Sequence, residues 1–242
     1  MTIPKLRCVI LAAGMGTRLG LPEPKPLAAL DLNTTILDRQ LSLIRSQFGG
    51  DADITLVVGH RAEQFDFLGD TVNRVTNPRY ATTNTSKSLL IALEAIGPGP
   101  VLWLNGDVVF EPTVLTNCVP AIHDGHSFMV VNQGETGEEE VKYRLAAGFI
   151  SQVGKQVTNA VGEAVGINHV STKERAALSQ QLREADDSDY FEAAIDAAIA
   201  RGSVTFSPVA ITTADAIEVD TLEDFTIARR RFGTLDGANW SD

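Results

Sequence analysis

The sequence predicts an α/β protein, a three-layer α/β/α arrangement around a mostly parallel sheet, with a small antiparallel insertion in its second half. Three observations predict it. Short apolar runs that stop at glycine or Asn-Gly recur through the first 130 or so residues, at Cys8–Ala13, Ile54–Gly59 and Val101–Leu104. Runs of this kind suit strands buried on both faces of a parallel sheet. Segments with helical spacing of apolar residues separate them, and strand, helix, strand in that order is a βαβ unit. From Lys142 onward the strand-like segments instead alternate polar and apolar residues, as antiparallel strands do.

The elements follow in order. Cys8–Ala13 is the first buried strand, broken by Gly14-Met15-Gly16. Thr34–Phe48 is a helix, with Ile36, Leu37, Leu41, Ile44 and Phe48 on one side; Thr35 and Asp38 resemble a capping box, and Gly49-Gly50 ends it. Ile54–Gly59 is the second strand and Arg74–Thr76 a weak third. Asn84–Ile96 is a helix capped by Asn84 or Thr85 and stopped by Gly97-Pro98-Gly99-Pro100. Val101–Leu104 and Ser127–Val131 are buried strands. Gly134–Glu140, rich in glycine and glutamate, is an exposed loop. Lys142–Leu145, Phe149–Val153 and Ala164–Val170 read as antiparallel strands, and Thr172–Arg201 as two helices broken near Asp186-Asp187-Ser188. Short strands at Val204–Val209 and Ala216–Val219 precede a last helix, Thr221–Phe232, and a frayed tail, residues 233–242.

Composition narrows the function. The 242 residues carry 20 Lys and Arg against 31 Asp and Glu, a formal net charge of −11. A nucleic-acid binder would show a basic face, so that class is disfavoured, although a local basic pocket for a nucleotide remains compatible with this charge. No apolar run approaches the roughly 20 residues that span a membrane. Met1–Arg7 runs straight into a strand and does not resemble a secretory leader. Two cysteines, Cys8 and Cys118, make a disulfide framework or a cysteine zinc site improbable, and a reducing cytoplasm is the expected location.

Four segments could carry chemistry. Leu11-Ala12-Ala13-Gly14-Met15-Gly16-Thr17-Arg18-Leu19-Gly20 and then Pro24-Lys25-Pro26-Leu27 place a glycine-rich turn and two cations after a buried strand. Glycine allows close backbone approach, successive N–H groups can cradle phosphate oxygens, and Arg18 and Lys25 supply a fork of donors and a point charge. No Gly-Lys-Ser/Thr follows, so this is not a P-loop. Leu19 stands where a dinucleotide fingerprint needs its third glycine, which disfavours an oxidoreductase. Asp107, in Asn105-Gly106-Asp107, sits just past a buried strand, where open α/β sheets bind ligands; the same tripeptide also makes an ordinary turn. Asp220 ends a strand before the Thr221–Asp224 cap. By itself it reads as an acid favoured by the helix N-terminus, and Glu218 shares its strand face. Asn77-Pro78-Arg79-Tyr80 through Asn84-Thr85-Ser86-Lys87-Ser88-Leu89 is, by itself, a loop and a helix cap.

The Leu-Ala-Ala-Gly-Met-Gly-Thr-Arg-Leu-Gly turn with Pro-Lys-Pro-Leu resembles the signature of the nucleotidyltransferases that make sugar nucleotides and CDP-alcohols. The resemblance covers roughly residues 5–232. It implies a Rossmann-like nucleotidyltransferase domain over residues 1–232, with an NTP-binding half at 5–132, an acceptor-binding half at 133–215 and a closing element at 216–232. It implies that Leu11, Ala12, Ala13, Gly14, Met15, Gly16 and Thr17 surround the triphosphate, that Arg18 contacts the β,γ-phosphates and Lys25 the α-phosphate, and that Asp107 and Asp220 hold Mg²⁺. The short spacing from Arg18 to Lys25 and the Asn-Pro-x-Tyr…Thr-Asn…Ser-Leu segment resemble the smaller cytidylyltransferases acting on phosphocholine, inositol phosphate or aminoethylphosphonate. This adds Asn84 and Ser88 as base or phosphate contacts, with pure capping as the alternative.

Lys142 and Glu163 fall where such relatives place acceptor contacts; exposed strand charges are the alternative. Tyr190-Phe191-Glu192 reads as core, acceptor pocket or dimer contact. Few aromatics are available to cage a quaternary ammonium, which counts against choline. The reading is therefore a Mg²⁺-dependent transfer from an NTP, CTP favoured, to a small phosphomonoester or phosphonate, with release of pyrophosphate. A sugar-1-phosphate acceptor with UTP, GTP or dTTP, and a non-catalytic nucleotide-binding regulatory domain, are the alternatives. Relatives suggest a homodimer through the middle strands and helices.

Overall fold

The computed structural model describes residues 6–49, 52–134, 136–137 and 139–233. Among them one sheet runs through the molecule in the order β10 (Phe206–Ile211), β6 (Ser127–Gln133), β9 (Gly162–Val170), β4 (Val101–Asn105), β1 (Arg7–Ala12), β2 (Asp53–Val58) and β3 (Asn73–Thr76). Its centre is the parallel set expected: β1 (Arg7–Ala12) lies between β2 (Asp53–Val58) and β4 (Val101–Asn105), and β3 (Asn73–Thr76) extends it beyond β2. Burial explains the apolar runs. Cys8, Ile10 and Ala12 face a core formed with helix α1 (Ile36–Phe48) and helix α3 (Pro112–His123). Val9, Leu11 and Ala13 face a second core under α2 (Thr85–Ala95), α4 (Arg175–Glu184) and α5 (Phe191–Ala200). Both faces of one strand are thus covered, so no polar alternation is left to see.

The caps form as the sequence predicts. Thr35 and Asp38 make a reciprocal capping box at α1, and Thr221 and Asp224 make another at α6 (Leu222–Phe232). Asn84 caps α2 by accepting a hydrogen bond from the Thr85 N–H.

Three elements depart from expectation. Helix α3 went unpredicted; Pro112 starts it and Pro120 lies within it, so its sequence reads as loop. A run of 3-10 turns at Ala62–Thr71 was also unpredicted. Most consequential, β9 (Gly162–Val170) does not belong to a separate insertion. It enters the main sheet between β4 and β6 (Ser127–Gln133), antiparallel to both, and begins two residues earlier than its apolar run suggested. The hairpin of β7 (Lys142–Ala146) and β8 (Phe149–Gly154) continues from it. Strand β10 (Phe206–Ile211) pairs parallel with β6 at the far edge, and β11 (Ala216–Glu218) pairs with β5 (Val108–Phe110) in a small ladder of its own. Glu135, Glu138 and residues 234–242 lie outside the described residues. Among those described, no helix is long and apolar enough to cross a membrane.

Candidate active site

A cleft of about 980 Å³ opens at the C-terminal ends of β1 and β4. One wall is the glycine turn. Leu11 to Arg18 all line the cleft, and so does Lys25. Gly16 has φ of 61°, the left-handed conformation glycine tolerates, and a Cβ there would lie 3.0 Å from the Lys25 Cγ. The glycine therefore lets the lysine stem lie along the turn. Leu19 anchors the turn from below, packed with Leu30, Val109, Val219 and Phe232.

Backbone pairing brings the two aspartates together across more than a hundred residues. The Gly106 N–H donates to the Leu11 carbonyl at 2.9 Å, which ties the Asn105-Gly106-Asp107 turn to the end of β1. The Val219 N–H donates to the Asp107 carbonyl at 2.9 Å, which ties β11 to the same turn and delivers Asp220. Gln40 on α1, 1% exposed, supports the turn by donating to the Asn105 and Val108 carbonyls at 2.9 and 2.8 Å. Sequence reasoning missed Gln40; its signal was a polar residue on the apolar face of α1.

Lys25 sits between the carboxylates. Its Nζ lies 3.1 Å from Asp107 Oδ2 and 2.5 Å from Asp220 Oδ1, and Arg18 reaches Asp220 at 3.0 Å. Burial works against the Lys25 charge, but attraction from Asp107 and hydrogen bonds to Asp220 outweigh it and hold the ammonium above its ordinary range. Burial pushes the Asp107 carboxyl up, with Asp220 adding repulsion that Lys25 only partly offsets. Glu218 lines the same cleft and is open to its solvent. Burial first, then Asp107, Asp220 and Glu192, drive its carboxyl well above the usual range. Such crowding of carboxylates favours a bound cation.

Asn84 and Ser88 line the cleft beside the glycine turn. Asn84 also donates to the Ser188 carbonyl at 3.1 Å, and Ser88 Oγ accepts from Asn77 Nδ2 at 3.0 Å. Asn77, 1% exposed, bonds Thr83 as well and accepts from the Arg79 N–H, so it organises the whole segment. Glu163 lines the opposite end, held by Asn132 at 2.6 Å; burial and Glu140 raise its carboxyl against that bond. Lys142 is opposite Glu163 in the β7–β9 ladder, yet it is not among the cleft-lining residues, and its Nζ donates to the Lys155 carbonyl at 3.3 Å. Lys155, Tyr190 and Glu192 line this end instead, while Phe191 is fully buried against Trp103.

A family model described as the MobA-like NTP transferase domain matches residues 8–188, well over half of the chain and including the glycine turn, Lys25 and Asp107. The chain belongs to this family. Two curated proteins are similar to parts of it. A CMP-5'-(3-aminopropyl)phosphonate synthase of Streptomyces rubellomurinus is 38% identical over 125 residues, 48% of this chain and 19% of that protein. A choline-phosphate cytidylyltransferase of Streptococcus pneumoniae is 34% identical over 101 residues, 40% of this chain and 43% of that protein. The matches thus span less than half the length of either curated relative. Among solved structures, the CTP:phosphocholine cytidylyltransferase of S. pneumoniae superposes with a TM-score of 0.75 at 17% identity, covering 93% of this chain and 98% of its own. The inositol-1-phosphate CTP transferase of T. maritima does so with a TM-score of 0.75 at 16% identity, covering 94% and 96%. The NTP transferase domain thus shares its fold with cytidylyltransferases.

Proposed function

We propose that this protein transfers a cytidylyl group from CTP to a small phosphomonoester or phosphonate and releases pyrophosphate. The observation that carries the reading is the convergence of Asp107 and Asp220 on Lys25 at the edge of the glycine turn, in a chain of the NTP transferase family. The names of the two curated relatives support CTP as donor and a phosphorus-containing acceptor.

An acceptor oxygen bonds to the α-phosphorus as the bond from that phosphorus to the β-phosphate oxygen breaks, and pyrophosphate leaves. A phosphonate or phosphate dianion is already a nucleophile, so no base is required. Catalysis is then positioning and charge neutralisation. The turn at Gly14–Thr17 positions the triphosphate, Lys25 neutralises charge gathering on the α-phosphate, and Arg18 holds the leaving pyrophosphate. Both cations are paired with Asp220 in the structure, and they exchange that partner for phosphate oxygens when substrate enters.

The donor set fits Mg²⁺. It offers two carboxylates, and among the described residues no group of three or more His, Cys, Asp or Glu forms a complete cage. Mg²⁺ characteristically takes one or two carboxylates and completes its shell with water and substrate phosphates. Bound by Asp107 and Asp220, it would neutralise phosphate charge in the transition state.

The test is pyrophosphate release with Mg²⁺, crossing CTP, UTP, ATP, GTP and dTTP with phosphonates, phosphocholine, inositol phosphate, glycerol phosphate and hexose-1-phosphates. Release with CTP and a phosphonate or phosphomonoester is expected. Release only with UTP, GTP or dTTP and a sugar phosphate would replace the reading with the sugar-nucleotide one. NTP binding without release from any pair would indicate a regulatory domain.

A further inference from the structure

We infer that the junction where the ends of α2, α4 and α5 meet ties the acceptor end of the cleft to the nucleotide segment, and that Lys87 is its positioning residue. CTP bound along the nucleotide segment thereby orders the start of α5, and the acceptor binds to an end already set. The inference rests on the cytidylyltransferase reading and adds to it a residue outside the cleft that sets acceptor affinity.

A helix end carries backbone groups with no partner inside the helix. At this junction three helix ends supply partners for one another. The Asn84 and Ser86 N–H groups at the start of α2 donate to the Asp187 and Asp189 carbonyls of the α4–α5 connection, at 2.8 and 3.3 Å. Helix α5 has no capping bond from the side chain of Tyr190, the residue before it; the Phe191 N–H instead donates to Thr85 Oγ1 on α2 at 3.1 Å. Lys87 closes the junction at the end of α4. Its Nζ donates to the Leu182, Arg183 and Ala185 carbonyls at 3.0, 3.4 and 2.5 Å. An ammonium has three donors, and a cation at a helix C-terminus meets both the free carbonyls and the negative end of the helix dipole. The Arg79–Asp187 ion pair spans the same junction, but both side chains are well exposed and it adds little.

The junction joins the two ends of the cleft from behind. Asn84, Thr85 and Ser88 line the cleft on the nucleotide side and Tyr190 on the acceptor side, whereas Lys87 and residues 185–189 are not among the lining residues. The nucleotide side has a second support, because Asn77 holds both Thr83 and Ser88. Loss of the Lys87 donors would therefore leave Ser88 in place and loosen the connection that sets Tyr190. Lys155 Nζ lies 5.2 Å from the centre of the Tyr190 ring, so a displaced Tyr190 disturbs both residues of the acceptor end. A first ligand that orders a segment lowers the ordering cost left for the second, which makes their binding cooperative.

The experiment begins with amide hydrogen exchange on the wild type, with and without CTP and Mg²⁺. Slower exchange at Gly14–Arg18 reports the nucleotide in the cleft. Exchange across residues 185–189, which do not line the cleft, should slow as well, by about threefold or more. Protection of the glycine turn with no change at residues 185–189 overturns the inference and leaves the cytidylyltransferase reading standing; no protection at the turn overturns that reading and the inference with it. Lys87→Met, which keeps the stem and removes the donors, should raise the acceptor's KM about tenfold, with kcat and the KM for CTP within about twofold of the wild type. Lys87→Arg can still bond helix-terminal carbonyls and should bring the acceptor's KM back to within about threefold. An unchanged acceptor KM in folded Lys87→Met, or an equal rise in both KM values, overturns the inference. If Lys87→Met does not fold, the exchange measurement on the wild type decides alone.

Discussion

The two ends of the cleft are built differently. The end proposed to hold the nucleotide uses a contiguous stretch, Leu11 to Arg18 with Lys25, completed by two aspartates that backbone hydrogen bonds deliver. The end proposed to hold the acceptor draws single side chains from separate elements: Glu163 from β9, Lys155 from the turn after β8, and Tyr190 and Glu192 from the start of α5. A triphosphate is common to many reactions and is bound largely by backbone N–H groups, which need a local glycine turn. An acceptor is particular to one reaction and is read by side chains, which any nearby element can supply. The first arrangement leaves a motif in the sequence and the second does not.

Three experiments test the contrast. Lys25→Ala should lower kcat by about 10³-fold for every acceptor, because the neutralised charge sits on the nucleotide common to all of them; steady-state kinetics on a folded variant reads this, and unchanged turnover would break the nucleotide-end assignment. Gly106→Ala should come next. Its Cβ would meet the Leu11 carbonyl at 2.7 Å and Pro26 Cγ at 2.8 Å, displacing the turn that carries Asp107 and the residue after Lys25. A loss in kcat of roughly 10- to 100-fold, again independent of the acceptor, is expected.

The smallest effect is expected at Lys142. Because it does not line the cleft and bonds the Lys155 carbonyl, Lys142→Ala should change the acceptor's KM by no more than about threefold. A larger effect on KM would extend the acceptor end to β7.

Legibility in the sequence followed the same division. β1, the two capping boxes and the break between α4 and α5 were readable because each depends on residues close in the chain. Helix α3 was not, because its two prolines mask a helix that the Val114, Leu115 and Cys118 contacts hold in place. Asp107 and Asp220 could be nominated singly, but their common grip on Lys25 depends on the pairing of β5 with β11. Glu192 follows Phe191, a core residue, so its position on a helix did not tell core from cleft.

The sequence by itself determined the α/β class, the parallel centre of the sheet, the glycine turn and the types of charge that belong beside a nucleotide. Those features follow from apolar spacing, glycine conformation and short-range hydrogen bonds, whose partners lie within a few residues. Only the tertiary structure decided where β9 enters the sheet, that two distant aspartates share one lysine, and that Lys155 rather than Lys142 faces the cleft. Strand order and side-chain convergence depend on contacts between segments far apart in the chain, and a linear pattern does not encode which distant partner a buried strand or charge will meet.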